Sequence, residues 1–398
     1  MTVPPAASLA DLDTAPFPRF SDAEYARRHA AVDALRAEAG CDALVVFGGG
    51  NARHELQYLT AWPARQEGWL VLTPGDEPAL FVQLYNHVPN AADMAVGARV
   101  AWAGASSAES VAVELRRRGA RRVGLIGAIS YQHHGRLAAA LGEGSDLVDL
   151  TPAFRRMRLV KSDDEIAWTR RGAALCDLAL AALVAEARPG MREHELGALT
   201  EQAYARVGGQ HGICFIATAP MRGGGAYVPR QNWSSRRLED GDAILIELSA
   251  GIGGYTGQVL RTIAVGDSEV PAPYRELHDV AEAAFEAITA AIRPGAAAAD
   301  LLAAAGMIEG AGHTVCDDVV HGYGGGYLAP VLRTPGTAHG APPDLVLRPG
   351  MMVVVQPNVI TTDRRMGVQT GELVLVTETG VVSLHAAPRG LLRAGAPA

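Results

Sequence analysis

The 398-residue chain is short of several things, and each shortage removes a class of function. It has four cysteines, Cys41, Cys176, Cys214 and Cys316. They are scattered, with no spacing that would gather thiolates on a metal, so they read as reduced, mostly buried thiols of a cytoplasmic protein. Only 20% of residues are charged, the net charge is −8, and no basic run occurs, which argues against nucleic acid as a partner. No apolar stretch reaches the roughly 20 residues that a membrane span needs. The start of the chain lacks the basic region and apolar core of a signal peptide. The run Gly48-Gly49-Gly50 has no Lys-Ser/Thr after it, which removes the phosphate-binding loop of nucleotide enzymes. The expectation is a protein of the cytoplasm with no membrane, no nucleic acid and no cofactor.

What is present suits a globular protein of two or three domains, with 48% hydrophobic residues. Residues 1–20 are rich in Pro and Ala and read as irregular. Ser21-Asp22-Ala23-Glu24 has the Ser-x-x-Glu form that opens a helix, here to about residue 39. Apolar runs at 43–47, 69–73, 79–83, 99–102 and 122–126 read as strands, with helices at 107–118 and 131–141. This alternation predicts an α/β domain over residues 1–155. Arg155-Arg156-Met157-Arg158-Leu159-Val160-Lys161 reads as the hinge to a second domain, 156–398. Ser162-Asp163-Asp164-Glu165, a second capping box, starts that domain's first long helix.

The second domain is organised around a hairpin. Apolar runs at 243–248 and 259–263 flank Ala250-Gly251-Ile252-Gly253-Gly254. Glu247 and Gln258 lie at about equal distances from that centre and are expected opposite each other on one face. A carboxylate and an amide inside an apolar hairpin are costly to bury, which suggests a site. A second stretch copies the first: Leu238 to Glu247 and Leu347 to Gln356 both run Leu-x-x-Gly, then five residues, then the polar side chain. A turn at 361–365 and a strand at 367–377 would follow, placing Gly371 or Glu372 opposite Gln356. Upstream, Arg188-Pro189-Gly190 and Arg293-Pro294-Gly295 repeat with a leucine at the same spacing. The reading is two related helix-helix-hairpin halves, α+β, with polar residues meeting at a pseudo-twofold axis. His321 joins them from Val319-Val320-His321-Gly322-Tyr323-Gly324-Gly325-Gly326.

These motifs resemble the creatinase, prolidase, aminopeptidase P and methionine aminopeptidase family, the pita-bread fold. The resemblance implies Asp at 247 and 258, His at 321, Glu at 356 and Glu at about 371, the five ligands of two metal ions in the peptidases. This chain keeps the His and has Glu247, Gln258, Gln356 and Gly371. Divalent metals of this class are held largely by carboxylate oxygens, so no metal is expected. The family's upstream His is absent from Tyr227-Val228-Pro229-Arg230-Gln231-Asn232-Trp233, where Arg230 falls near its position. The second His expected after His321 is Leu328. Creatinase implies that this fold can hydrolyse a C–N bond without metal. Its dimers also imply a homodimer in which Arg65 grips substrate in the other subunit's site.

The function expected is therefore a metal-independent hydrolase cleaving a C–N bond in a small polar, carboxylate-bearing molecule. His321, Glu247 and Glu372 are the catalytic candidates. For Glu372 this requires a bulge near Gly371, because a one-residue offset turns a strand side chain to the other face. Gln258, Gln356 and Tyr255 would orient substrate. Arg230, Arg261, Arg333 and Arg65 would clamp its carboxylate. His211, His313 and His339 read as structural or solvent-exposed, and Asp317-Asp318 as a loop or strand-start pair. A lyase or decarboxylase in the same pocket, an Xaa-Pro metallopeptidase with unusual ligands, and a non-catalytic binding module remain open.

Overall fold

A computed structural model describes residues 17–337 and 340–395. His339 and most of the irregular stretch expected at 1–20 lie outside the described residues. Two compact units divide between Arg158 and Leu159, three residues beyond the expected boundary.

The first unit runs α1 (Asp22–Glu38), β1 (Ala43–Gly48), α2 (His54–Thr60), β2 (Gly68–Leu72), β3 (Ala79–Val82), α3 (Val88–Met94), β4 (Arg99–Trp102), α4 (Ser107–Arg117), β5 (Arg122–Ile126), α5 (Tyr131–Leu141), β6 (Asp146–Asp149) and α6 (Thr151–Met157). Its sheet has the order β4-β3-β2-β1-β5-β6. Strand β1 is buried throughout, and alternation sends Leu44 and Val46 into one core and Ala43, Val45 and Phe47 into the other. The first core takes Val32, Leu56, Leu59 and Phe154 from α1, α2 and α6; the second takes Val111, Leu115 and Leu137 from α4 and α5. A sheet covered on both faces explains why these strands read as unbroken apolar runs.

The second unit begins with α7 (Asp163–Glu186), α8 (Glu193–Ala205), β7 (Gln210–Pro220), β8 (Asp242–Ile252), β9 (Tyr255–Thr256) and β10 (Val259–Val265). It continues with α9 (Ala272–Ala291), α10 (Ala298–Ala305), α11 (Met307–Gly310), β11 (Thr314–Val315), β12 (Val320–Tyr323), β13 (Tyr327–Leu332), β14 (Met352–Val355), β15 (Val359–Ile360), β16 (Gly371–Val376), β17 (Val381–Ser383) and β18 (Leu392–Ala394). Ser162 caps α7 with both bonds of the box: its hydroxyl accepts from Glu165 N at 3.2 Å, and its own N donates to the Glu165 carboxylate at 3.0 Å.

The sheet order β13-β12-β14-β16-β10-β8-β7 carries the duplication. Read outward from the β10–β16 contact, β10-β8-β7 mirrors β16-β14-β12. The backbone repeats in detail. Gly190 and Gly295 have φ of 93° and 84°, and each donates to a leucine carbonyl, Leu238 at 2.7 Å and Leu347 at 2.9 Å. Gly241 and Gly350 both have φ of 84° and donate to Val265 O at 3.0 Å and Val376 O at 2.9 Å. A left-handed conformation at both members of each pair is why glycine recurs there.

All four cysteines are free; Cys41, Cys176 and Cys214 are buried, whereas Cys316 is exposed. No helix among the described residues is long and apolar enough to cross a membrane.

Candidate active site

Glu247 lies in the middle of β8. Its neighbours Ile246 and Leu248 turn to the other face and are buried. The register across the sheet runs Phe215–Glu247–Leu260–Gly371. Val355 pairs with Glu372, so Gln356 continues this row opposite Gly371. Glu247 and Gln356 thus occupy equivalent places, with β10 and β16 between them.

Gln258 is diagonal to Glu247 rather than directly opposite, because Leu260 is the register partner. The even spacing of 258 and 260 keeps it on the same face, and Gln258 Nε2 donates to Glu247 Oε1 at 2.7 Å. Burial raises the proton affinity of Glu247, and the carboxylates of Asp317 and Asp318 raise it further; the Gln258 hydrogen bond opposes them. The result is a carboxyl pushed up to about 8, so it holds its proton at neutral pH.

His321, 1% exposed, arrives on β12 and stacks on Tyr327 with ring centroids 4.0 Å apart. Its Nδ1 lies 3.2 Å from Gly322 O. Burial lowers its pKa to about 4, although Gly322 O, Asp317 and the neighbouring Gln356 favour the charged form. The imidazole is therefore neutral at pH 7. Tyr323 ties this strand to β8, donating to Ser249 Oγ at 3.1 Å and sharing a 2.7 Å bond with Thr256.

Asp317 and Asp318 belong to this cluster, which the reading of them as a plain loop pair missed. Gln356 Nε2 lies 3.4 Å from Asp317 Oδ2, 3.2 Å from Asp318 O and 3.5 Å from Asp318 Oδ2. Burial and the adjacent Asp318 push Asp317 up to about 6. Asp318 also acts on the Tyr327 hydroxyl, which burial and this neighbouring acid together hold above the ordinary phenol range. The available signal was two acids immediately before the His321 strand.

Other expected site residues go elsewhere. Glu372 does not join Glu247. No bulge occurs at Gly371, and the continuous pairing Val259–Glu372 and Leu260–Gly371 turns Glu372 to the opposite face. There it meets Arg261 Nη2 at 2.5 Å. Arg261 is not available to a substrate: it is 1% exposed and also donates to Pro388 O, Leu260 O and Gly371 O. Arg230 pairs with Ile216, one residue out of phase with Glu247's partner Phe215, and its guanidinium reaches Glu193 of α8 at 3.2 Å. Tyr255 is buried and donates to the Glu165 carboxylate at 2.7 Å, so its hydroxyl serves the α7 cap. Arg333 lines a surface groove of about 500 Å³ with Leu302, Val331 and three prolines, none of them from the Glu247 cluster. Arg65 is exposed on the first unit. His211 pairs with Glu201 at 2.9 Å on β7.

Residues 167–378 match the model of metallopeptidase family M24, and residues 28–160 match the creatinase/prolidase N-terminal domain. The chain belongs to metallopeptidase family M24. Among relatives, the "Probable dipeptidase PepE" of Mycobacterium tuberculosis is 29% identical, covering 94% of this chain and 98% of that protein. The Xaa-Pro dipeptidase of Pyrococcus furiosus is 27% identical over 60% of this chain and 66% of its own. Among solved structures, dipeptidase PepE from Mycobacterium ulcerans has a TM-score of 0.73 and 25% identity, covering 94% of this chain and 99% of that one. The prolidase of Pyrococcus horikoshii has a TM-score of 0.78 over 92% of this chain and all of that one, at 21% identity, and so speaks for the fold alone. These M24 relatives bear the names of C–N bond hydrolases.

The two metal ions of the M24 peptidases do not fit the residues present here. Two of the five ligand positions are neutral amides, Gln258 and Gln356. At the fifth, a Cβ on Gly371 would lie 2.5 Å from Val355 O and 2.8 Å from Gln356 Cα, so this backbone has no room for a side chain. Among the described residues, no three His, Cys, Asp or Glu are arranged to hold a metal.

Proposed function

We propose that the protein is a homodimeric, cytoplasmic hydrolase that cleaves a C–N bond in a small polar molecule without a resident metal. What supports this reading is a cluster on one face of the sheet in which burial keeps Glu247 protonated and His321 neutral, and in which amides stand where the family has anionic ligands. Two titratable groups whose environments move their proton affinities in opposite directions are suited to be acid and base. His321 takes a proton from water, which attacks the electrophilic carbon. Glu247 gives its proton to the departing nitrogen. Water thus adds OH to carbon and H to nitrogen, and the proton on His321 returns to Glu247 through solvent. Gln258 orients Glu247, and Gln356 contacts substrate.

Arg230 and Arg261 are committed within the fold, so the carboxylate expected on the substrate would have to be met by Arg65 of the partner subunit. The Arg65 loop is unusually constrained. Ala61 and Ala64 have φ of 63° and 37°, conformations that cost a residue with a Cβ energy and tend to mark functional loops.

The test is turnover of a panel of small amides, guanidino compounds and dipeptides with product analysis, with and without chelator. Activity should persist in chelator. Replacing His321→Ala or Glu247→Gln should lower kcat by about 10²–10⁴-fold, the scale of general acid–base catalysis. Gln356→Ala should raise KM instead, because it removes a contact and no proton. Wild-type rates for both acid–base variants would refute the assignment. Activity lost in chelator and restored by zinc, manganese or cobalt would return the protein to the metallopeptidases. Products of elimination or carbon dioxide release would make it a lyase.

A further inference from the structure

We infer that residues 384–389 are a cross-brace that ties the two halves of the second unit together and fixes the spacing of the row holding Glu247 and Gln356. His385 and Arg389 are its positioning residues, and Arg261 carries their hold to the row. The link to turnover rests on the hydrolase reading; the brace itself does not.

The two halves share little backbone. Among the described residues, the pairing of β10 with β16 is limited to Val259–Glu372 and Leu260–Gly371, whereas β8 and β10 pair continuously from Ala243 to Leu248. Leu260 and Gly371 are also the two residues that separate Glu247 from Gln356 in the row. Arg261 grips both of them: its Nη1 donates to Leu260 O at 2.9 Å and to Gly371 O at 2.7 Å. Its Nη2 meets Glu372 at 2.5 Å. The remaining donor, Nε, reaches Pro388 O at 2.9 Å, inside the 384–389 segment.

That segment is pinned twice, once to each half. On α7, Asp177 accepts from Ala386 N at 2.7 Å and lies 2.7 Å from His385 Nδ1, whose side chain is closed off from solvent. On α9, Glu282 accepts from Arg389 Nη2 at 2.7 Å and from the hydroxyl of Thr370, the residue before Gly371. The Arg389 guanidinium also lies 3.4 Å from the centroid of the Phe285 ring. Asp177 and Glu282 each stand eleven residues before a repeated Arg-Pro-Gly, at Arg188 and Arg293. They are therefore equivalent positions of the duplicated halves, and one segment spans from the first to the second. An exposed ion pair by itself holds little. Here charge-assisted bonds at both ends work in series with the buried Arg261, where such bonds are strong. Loss of either anchor frees Pro388 O from Arg261. The short seam then has room to widen, which separates Glu247 from Gln356 and admits water beside Glu247.

Arg389→Met and Asp177→Ala each remove one anchor, on different helices and outside the row. Hydrogen exchange reads the seam, because Leu373 N donates to Gln258 O across it at 3.0 Å. In each variant the Leu373 amide should exchange about tenfold faster, while the amides that pair β7 with β8 keep their rates. The Glu247 carboxyl, followed by carbon-13 NMR, should titrate lower than in wild type. For a substrate that is turned over, kcat should fall about ten- to hundredfold with KM within about threefold, the mark of lost positioning. Arg389→Lys keeps the charge and should behave as wild type. An unchanged Leu373 amide in both variants, or exchange that speeds up uniformly through the second unit, overturns the brace. A faster Leu373 amide with unchanged kcat overturns its positioning role. Asp177→Ala decides alone if Arg389→Met does not fold. If the Leu373 amide and the Glu247 titration respond as expected but even the parent turns over no substrate, the brace stands and the hydrolase reading falls.

Discussion

At the scale of single residues, the site is governed by what burial does to two groups of opposite charge type. Glu247 ordinarily titrates near 4.5 and here near 8, so the folded chain keeps a proton that the unfolded chain has lost in that window. The unfolded state then binds fewer protons, and stability must fall as pH rises through it. His321 moves the other way, from 6.5 to about 4, so its stability contribution is lost as pH falls through that window. Asp317, raised to about 6, adds a second falling slope below that value. Between about 6.5 and 8 only the Glu247 effect remains among these three groups. Melting curves should therefore show wild type losing stability relative to Glu247→Gln as pH rises from 6.5 to 8.5; parallel curves would mean that Glu247 titrates normally. The same groups predict activity limbs near pH 4 and pH 8, provided that His321 acts neutral and Glu247 protonated. Glu247 and His321 were legible in the sequence because each interrupts an apolar or glycine-rich strand. Asp317 and Asp318 were not, since a pair of acids before a strand looks like any solvated turn until the sheet folds it over Gln356. The arginines misled for the converse reason: sequence shows a cation, and only the fold shows that Glu372 and Glu193 already hold it.

At the scale of elements, the β10–β16 seam carries most of the consequence. It joins the two halves, sets Gly371 against Gln356, and turns Glu372 away from the site. The Arg261–Glu372 pair on its far face is closed off from solvent, with the guanidinium bonded to three carbonyls as well. Removing one partner of such a pair leaves a buried charge uncompensated, which costs about 3–5 kcal/mol. Arg261→Met should lose stability on that scale in urea melts, and Arg261→Met/Glu372→Leu should recover part of it. A loss under about 1 kcal/mol would show that the pair is not sealed as described. Strands buried on both faces, such as β1 and β5, were readable from composition alone, and α4 and α5 from their periodicity. The expected strand at 367–377 is confined to Gly371–Val376. Strand β7 was missed because Gly212 and polar residues break its pattern at one end, and the short helix α3 because Pro89 hides it. For such segments, packing decides more than local preference.

At the scale of the whole molecule, the duplication was the most legible feature, because a repeat must preserve backbone geometry and glycine records it. The symmetric frame leaves an asymmetric site: Glu247 on one half has Gln356 as its equivalent in the same row on the other, and His321 with the two aspartates enters from one side. On the proposed reading, a substrate bound there would meet the acid Glu247 and the base His321 of this chain. Arg230 and Arg261, which were expected to clamp the substrate's carboxylate, are instead held by Glu193 and Glu372. We therefore assign that role to the partner subunit's Arg65, on the strength of the family resemblance. Subunit complementation tests it. Arg65→Ala and His321→Ala homodimers should each be weak, for different reasons. When the two are unfolded and refolded together in equal amounts, random pairing makes about half the dimers hybrid. Each hybrid holds one site with an intact His321 and an intact Arg65 from the other chain, so the mixture should regain about a quarter of wild-type activity, since roughly one site in four is whole. A mixture no more active than the average of the two parents would place Arg65 in its own subunit's chemistry or in none, and light scattering showing an active monomer would remove the dimer altogether.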